Sequence, residues 1–395
     1  MMQQKPSKTA IAFALEKFPY GGAESVTMNI AEYLYEKGYE VFFFVHLYRT
    51  EFLPKDRKLH FKIIHIPEGG IRRSIRDMET MVREINKNAI KILFYFPMLK
   101  HIDMLLEQTD CKPVYICHGV PFWEYHIAMA NYENNSRKLF HWIKWHLYHK
   151  IRETYLHTYQ RRTIGRYRKC LEQVAAFVVL CDEYKEEICQ KLNLSPALSR
   201  KIRAIANAQP LPPAVTDEKE KVIIYVGRLT YGDKRVDRLI DIWSNIQKQI
   251  PGWKLLIVGG GSEMGALQER AKGTDNIEFA GERADVQPYY DRASILCLTS
   301  QSESWGLCLT EAQANGVVPI AFDCSAGIRH ILSPSGTNGF IIPEGDSEAY
   351  ISTIIRLTTD EKLLHEMSMS VRKKSMEYSL ESIGQKWIDL IESLR

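Results

Sequence analysis

The segment SESWGLCLTEAQANGVVPIA (302–321) carries two glutamates, Glu303 and Glu311, in an E-x7-E spacing. It follows the apolar run ILCLTS, and its pattern predicts a helix from about Trp305 to Gly316. The first turn of a helix offers unpaired backbone N–H groups and the positive end of the helix dipole, which suit a phosphate. Carboxylates beside that turn can accept hydrogen bonds from sugar hydroxyls. The spacing alone also allows a capping role for Glu303 and a solvated helix face for Glu311.

Two cations follow another apolar run. In VGRLTYGDK (226–234) a strand is predicted to end at Gly227, and Arg228 and Lys234 lie in the loop and at the start of the next helix. Arginine can bind a diphosphate through two parallel hydrogen bonds, and lysine adds a point charge. The pattern therefore suits an anionic ligand, although two exposed cations that form surface ion pairs would show the same pattern.

Three other features have both a functional and a structural interpretation. Gly21 and Gly22, between the first predicted strand and helix, would let backbone N–H groups approach an anion, but any such turn can contain glycines. His118 directly follows the run PVYIC, at the carboxyl end of a predicted strand where functional groups collect, yet lone histidines are often structural. The loop GGGSEMG (259–265) departs from the dinucleotide fingerprint, because Met264 stands where the third glycine belongs.

Short apolar runs alternate with amphipathic stretches along the chain, which predicts parallel, doubly wound α/β sheets. Runs such as 39–47 are continuously apolar, as expected of strands buried on both faces. The alternation stops at AQPLPPAVTDEKEK (208–221) and resumes at Val222, so we predict two Rossmann-like domains facing a cleft. The predicted parts are an N-terminal domain at 1–208, a hinge linker at 209–221, a C-terminal domain at 222–376 and a helix at 377–395 that packs back on the first domain.

The composition of the 395 residues is that of a globular protein, with 45% hydrophobic and 25% charged residues. It excludes disordered, collagenous and coiled-coil chains. There is no apolar run of about 18 residues to span a membrane, and the polar segment 1–10 is not expected to act as a signal peptide. Eight cysteines without a C-x-x-C predict reduced cytoplasmic thiols. No D-x-D occurs, so a metal-held diphosphate site is not indicated.

Positive charge is concentrated in one segment. Between Arg137 and Lys169 there are ten Lys or Arg residues against the single acid Glu153, a local charge of +9 in a chain whose net charge is +4. Apolar residues at nearly every fourth position of 138–162 predict an amphipathic helix, which either binds an anionic membrane surface or packs on the N-terminal sheet with a solvated basic face. No base-reading motif accompanies it, so nucleic acid is not expected. The proposed membrane or acceptor patch comprises Lys138, Lys144, Lys150, Arg152, Arg161 and Arg162.

Taken together, these motifs resemble glycosyltransferase family 4, the large retaining group with the GT-B fold. The resemblance runs in order through FPYGGAE (18–24), His118, VGRL (226–229), LLIVGGGSE (255–263), YYDRASILCLTS (289–300), ESWGLCLTEAQANGVVPIAFD (303–323) and NGFIIPEGD (338–346).

The resemblance implies a role for each matching residue. Glu311 is expected to hold the nucleotide ribose hydroxyls, and Glu303 to contact donor-sugar hydroxyls near the reacting carbon. Arg228 and Lys234 are expected to bind the donor diphosphate and stabilise its charge as it leaves, and His118 to line the donor-sugar pocket. The further donor-binding residues implied are Gly21, Gly22, Gly227, Ser304, Trp305, Gly306 and Leu307.

The implied reaction moves a sugar from a nucleotide-diphosphate sugar, by default a UDP-sugar, to a glycan or lipid-linked acceptor with retained anomeric configuration. No metal or other cofactor is expected, and the expected location is the cytoplasm, at the inner face of the cell membrane. Arg228 and Lys234 are six residues apart where five is commoner in the family, which leaves open whether Arg235 shares the role of Lys234. The alternatives are an NAD(P)-dependent oxidoreductase that uses the 259–265 loop and a non-catalytic sugar-nucleotide-binding module.

Overall fold

The computed structural model of the protein describes residues 9–18, 21–48, 59–66, 74–125, 150–216 and 218–395. Within these residues the chain forms two compact units. One runs to Ala206 and also includes Lys386–Arg395, and the other spans Asn207–Gln385. The proline-rich segment 209–221, predicted as a hinge, therefore lies in the second unit.

The first unit contains a parallel sheet of seven described strands in the order β3-β2-β1-β4-β5-β6-β7. Its central strands are buried on both faces, as their unbroken apolar sequences require. Its elements are β1 (Ala10–Phe18), α1 (Gly22–Glu36), β2 (Glu40–Tyr48), β3 (Lys62–His65), α2 (Ile75–Lys87), β4 (Ile92–Phe96), α3 (Ile102–Gln108), β5 (Lys112–Ile116), α4 (Lys150–Leu156), α5 (Thr158–Gln173), β6 (Ala176–Val179), α6 (Asp182–Leu192), α7 (Pro196–Ser199) and β7 (Ile202–Ala204).

The second unit repeats this architecture with six strands in the order β10-β9-β8-β11-β12-β13, again all parallel. In both sheets the chain starts at a central strand and adds strands toward one edge. It then returns to the centre and adds strands toward the other edge, which confirms the predicted doubly wound fold. Its elements are β8 (Val222–Val226), α8 (Val236–Ile246), β9 (Lys254–Val258), α9 (Met264–Arg270), β10 (Ile277–Gly281), α10 (Gln287–Arg292), β11 (Ile295–Leu298), α11 (Leu307–Ala314), β12 (Val318–Phe322), α12 (Ala326–Leu332), β13 (Phe340–Ile342), α13 (Ser347–Thr359), α14 (Glu361–Ser375) and α15 (Leu380–Ser393).

The last ten residues pack within the first unit. The Trp387 indole meets the Phe94 ring edge-on at 5.4 Å between centroids. The Tyr39 hydroxyl donates a 2.6 Å hydrogen bond to Oε1 of Glu392. Burial raises the pKa of Tyr39 well above its ordinary value, and the Glu392 carboxylate raises that pKa further. None of the described helices has the length and apolar character needed to cross a bilayer.

Candidate functional site

The strand order of the second unit reverses between β8 and β11. These strands are hydrogen-bonded neighbours, with Ile223 opposite Ile295 and Ile224 opposite Leu296, although β9 and β10 separate them in the chain. Ligands of open parallel sheets bind beyond the carboxyl ends of the strands at such a reversal. The loops that leave β8 and β11 there are 227–235 and 299–306, which we call the switch-point loops.

A lysine from one switch-point loop meets a glutamate from the other. Lys234 Nζ donates a short hydrogen bond to Glu303 Oε1, and the Ser300 hydroxyl donates to the same oxygen at 2.9 Å. The side chains of Lys234 and Glu303 are only 15% and 10% exposed. Burial acts to lower the pKa of Lys234, but the adjacent Glu303 carboxylate outweighs it and raises that pKa above the usual range. A charged pair with limited access to water is thus present where the sequence predicts catalytic residues.

Asp233 connects the two switch-point loops through hydrogen bonds. Its backbone carbonyl accepts the N–H groups of Gln301 and Ser302 at 2.8 and 3.2 Å. Its carboxylate accepts hydrogen bonds from the Thr230 hydroxyl and, at 3.2 Å, from Arg228. These bonds hold both loops in one arrangement, so the position of Lys234 relative to Glu303 does not depend on their own contact alone.

The side chain of Arg235 has partners of its own, in the loop and in α8. Its guanidinium makes two parallel hydrogen bonds to Asp237, at 3.0 and 2.9 Å, and lies 4.8 Å from the centroid of the Tyr231 ring. The backbone of Arg235 lies in the left-handed region, with a φ of 49°. Arg235 is therefore neutralised locally, and the cation that meets Glu303 is Lys234.

Arg228 is the exposed cation of the same loop. Its side chain is 71% exposed and pairs with Asp233 at 3.2 Å. A surface ion pair of this kind contributes about 0–1 kcal/mol, so the guanidinium can exchange Asp233 for a ligand anion at little cost. Gly227 before it has φ 156°, and a Cβ there would come within 2.9 Å of the Tyr225 hydroxyl, which donates to the Arg228 carbonyl.

The helix predicted from Trp305 begins later, at Leu307, because Gly306 adopts a left-handed φ of 77° as its N-terminal cap. Glu303 therefore precedes the helix by four residues, and Glu311 lies about one turn inside it. The partly buried Glu311 carboxylate accepts a 2.8 Å hydrogen bond from the Tyr290 hydroxyl. Burial raises the pKa of Glu311, and the Tyr290 hydrogen bond opposes that rise.

Trp305 does not have the position expected of a donor-binding side chain. Its indole is 1% exposed and packs edge-on against the Tyr378 ring at 5.6 Å between centroids, and the His330 ring lies tilted beside it at 5.8 Å. The ring fills the interior of the unit, so a donor contact of Trp305, which stays a prediction, would have to involve its backbone. Ser304 and Leu307, on either side of Trp305 and Gly306, are partly exposed and stay candidates.

The glycines of the 259–265 loop have a structural explanation. A Cβ on Gly259 would lie 1.8 Å from the Gly227 carbonyl oxygen, and one on Gly261 would lie 2.3 Å from the Leu229 carbonyl oxygen. Both have positive φ, 148° and 156°. These glycines let the loop after β9 pack against the first switch-point loop, which accounts for their presence without a dinucleotide.

The remaining predicted site residues belong to the first unit. Gly21 caps the N-terminus of α1 with φ 115°, and Gly22 is the first residue of that helix. A Cβ on Gly21 would meet the Glu24 carboxylate at 2.5 Å. His118 follows the end of β5 by two residues, is partly exposed, and has its ring edge-on to Phe96 at 5.3 Å.

The basic segment is not one continuous helix over 138–162. Lys138 and Lys144 lie outside the described residues, as does the side chain of Arg152, whereas Lys150, Arg161 and Arg162 are exposed. His157, with φ 48°, interrupts the helix between α4 and α5. The buried Glu153 carboxylate accepts the backbone N–H groups of Tyr159 and Gln160 at 2.8 and 3.3 Å. The one acid of the segment thus caps the second helix.

Three residues that shape the site are absent from the sequence predictions, namely Asp233, Ser300 and Tyr290. Ser300 lies three residues before Glu303, a spacing at which a hydroxyl can reach a following side chain, so it could have been found. Asp233 stands between two predicted cations and offered a similar signal. Tyr290 had none, because it precedes Glu311 by 21 residues and meets it only through packing.

Two family matches cover most of the chain. Residues 20–208 match the family described as Glycosyltransferase Family 4, and residues 212–374 match the one described as Glycosyl transferases group 1. The chain is 27% identical over 372 residues to an uncharacterized glycosyltransferase of Haemophilus influenzae, covering 93% of this chain and 95% of that protein. It is 32% identical over 176 residues to the amylovoran biosynthesis glycosyltransferase AmsD of Erwinia amylovora, covering 44% and 48%.

Solved structures show the same fold. The crystal structure of HepE from Anabaena in complex with UDP has a TM-score of 0.71 and 15% sequence identity, with 98% of this chain and 100% of that chain covered. HepE has also been solved with UDP-glucose, at a TM-score of 0.70 over 98% of this chain and 100% of that chain, with 15% identity. The chain therefore belongs to the family 4, group 1 glycosyltransferases and has the GT-B fold.

Proposed function

We propose that this glycosyltransferase moves a sugar from a UDP-sugar to an acceptor hydroxyl, with retention, in the synthesis of a cell-surface polysaccharide or glycolipid. The observation that carries the proposal is the contact of Lys234 and Glu303 at the carboxyl ends of β8 and β11, with Glu311 on the helix that follows. The naming of AmsD for amylovoran biosynthesis and the UDP and UDP-glucose complexes of HepE support the substrate class.

The chemistry follows from the charges at the switch-point loops. Lys234 and the exposed Arg228 can place two positive charges beside a diphosphate, where negative charge develops as the sugar–phosphate bond breaks. We propose that this pair replaces a metal ion in that role. Glu303, shared by Lys234 and Ser300, would orient hydroxyls of the donor sugar. The acceptor oxygen bonds to the anomeric carbon, and its proton passes to the leaving phosphate oxygen, so catalysis rests on positioning and electrostatics.

Thermal-shift assays test the donor proposal. We expect UDP and UDP-sugars to raise the melting temperature more than GDP- or ADP-sugars do, and EDTA to leave the shift unchanged, because cationic side chains rather than a metal hold the diphosphate. Loss of the shift in EDTA would refute metal independence, and no shift with any nucleotide would refute the donor site. NMR then distinguishes retention from inversion: it identifies the sugar anomer that is released first when the enzyme hydrolyses the nucleotide sugar that raised the melting temperature.

We further propose that the basic segment brings the protein to an anionic membrane or a lipid-linked acceptor. The exposed Lys150, Arg161 and Arg162 support this, since each cation near an anionic surface contributes about 1 kcal/mol. The protein is expected to sediment with phosphatidylglycerol vesicles and not with phosphatidylcholine vesicles.

A charge-matched pair of variants makes the membrane test specific. Arg161→Glu/Arg162→Glu is expected to weaken sedimentation by about tenfold or more. Lys248→Glu/Lys272→Glu reverses two exposed cations of the second unit and is expected to have little effect. An equal loss of sedimentation in both double variants, or no sedimentation of the wild-type protein, would contradict the proposal.

A further inference from the structure

Tyr290 is a buried residue that touches the predicted ribose-binding carboxylate. Its side chain is 1% exposed, and its hydroxyl donates to Glu311 Oε2 at 2.8 Å. The same hydroxyl lies 3.5 Å from the carbonyl oxygen of Cys308, one turn earlier on α11. A tyrosine this deeply buried needs a partner for its hydroxyl, and here that partner is a partly exposed side chain able to bind a ligand.

The helix that carries Tyr290 is tied independently to the helix that carries Glu311. Gln287, at the start of α10, donates to the side-chain oxygen of Asn315, and Asn315 in turn donates to the backbone carbonyl of Glu311 at 2.9 Å. At the other end of α10, Lys219 donates to the carbonyl of Tyr290 at 2.9 Å. These hydrogen bonds hold the backbone of Tyr290 near Glu311 independently of the bond between their side chains.

We propose that Tyr290 is a positioning residue for donor binding: its hydroxyl holds Oε2 of Glu311 so that the carboxylate presents its remaining acceptor positions to the ribose hydroxyls of the nucleotide. The proposal rests on the proposed function and on the ribose-binding role that the family resemblance implies for Glu311. A carboxylate with one fixed donor loses rotational freedom before the ligand arrives, so less entropy is lost on binding. The hydrogen bond also opposes the burial that raises the pKa of Glu311, which favours the ionised acceptor.

The test compares UDP with 2′,3′-dideoxy-UDP, which lacks the hydroxyls that Glu311 would accept. Wild-type protein is expected to bind UDP at least about tenfold more tightly than the dideoxy compound. Tyr290→Phe keeps the ring and its packing and removes only the hydroxyl. It is expected to raise the Kd for UDP about five- to tenfold and the Kd for dideoxy-UDP about twofold or less, so that the preference largely disappears.

Tyr350→Phe is the matched control. Tyr350 is also fully buried in the second unit, and its hydroxyl donates to the backbone carbonyl of Ile320 at 2.7 Å rather than to Glu311. Both variants lose one buried hydrogen bond, so both are expected to melt at similarly lower temperatures, but Tyr350→Phe should retain the wild-type preference for UDP. In a Glu311→Ala background, Tyr290→Phe is expected to change the preference no further, since the two residues act through one bond.

The outcomes separate the two proposals. If wild-type protein prefers UDP over dideoxy-UDP and Tyr290→Phe keeps that preference, Tyr290 has no positioning role, and the donor site stands. A parallel loss of affinity for both compounds in Tyr290→Phe likewise overturns the proposal, because a general packing defect does not distinguish the ligands. If wild-type protein binds both compounds equally, Glu311 does not hold the ribose of UDP, so the Tyr290 proposal fails while the donor site stands. If wild-type protein binds neither compound, the donor site itself is refuted, and both proposals fail together.

Discussion

Glu303→Gln is expected to lower the rate of sugar transfer by at least about a hundredfold while the protein still folds. Glutamine keeps the shape of the side chain and one carbonyl oxygen for Ser300, but it removes the negative charge that meets Lys234. A donor-sugar hydroxyl that relies on a charged acceptor would then be held by a neutral one, and the sugar would lose its orientation at the reacting carbon. The rate is measured with the donor identified by thermal shift.

This variant also has a stability cost. Lys234 would remain largely buried without its counter-charge, a loss on the order of 3 kcal/mol for a buried pair. We expect a lower melting temperature with a transition that is still cooperative. Glu220→Gln is the matched control: it breaks an ion pair with Arg292 at 2.8 Å, just before the amino end of β8 and away from the switch-point loops, and should leave turnover unchanged. Unchanged turnover in Glu303→Gln would contradict the role assigned to Glu303.

Lys234→Met is expected to raise the Kd for UDP about ten- to a hundredfold and also to lower the rate of sugar transfer. Methionine approximates the aliphatic stem of lysine and packs in its place, so the main loss is the ammonium group that would face the diphosphate. Glu303 keeps its Ser300 hydrogen bond, which limits the disturbance of the rest of the site. Calorimetric titration with UDP measures the first effect, and initial rates measure the second.

The adjacent arginine provides the comparison for this variant. Because Arg235 is paired bidentately with Asp237, Arg235→Met is expected to lower stability but to change the Kd for UDP about twofold at most. A larger loss of UDP affinity in Arg235→Met than in Lys234→Met would mean that Arg235, and not Lys234, binds the diphosphate.

Unbroken apolar runs made the sheets of this protein predictable. In the second unit, six strands are predicted at the apolar runs 222–226, 255–258, 277–279, 294–298, 317–321 and 339–342. The first of them is β8 to the residue, and the ends of the others agree with the observed strands within two residues. β7 was missed, because three residues with an exposed Arg203 beside the buried Ile202 leave no apolar run to detect. The predicted continuous basic helix failed at His157, since helical periodicity does not reveal that a buried Glu153 will cap a new helix.

The sequence by itself determined the doubly wound fold and the pairing of Glu303 and Glu311 around a helix start. Both are local properties: buried parallel strands need continuous apolar residues, and the spacing along a helix follows from its pitch. Only the tertiary structure decided that Lys234 meets Glu303, that Trp305 faces inward, and that Tyr290 reaches Glu311. The Lys234–Glu303 contact joins residues 69 apart in the chain, and it arises because β8 and β11 become neighbours where the order of the sheet reverses. The Tyr290–Glu311 contact joins residues 21 apart, on the helices that precede and follow β11.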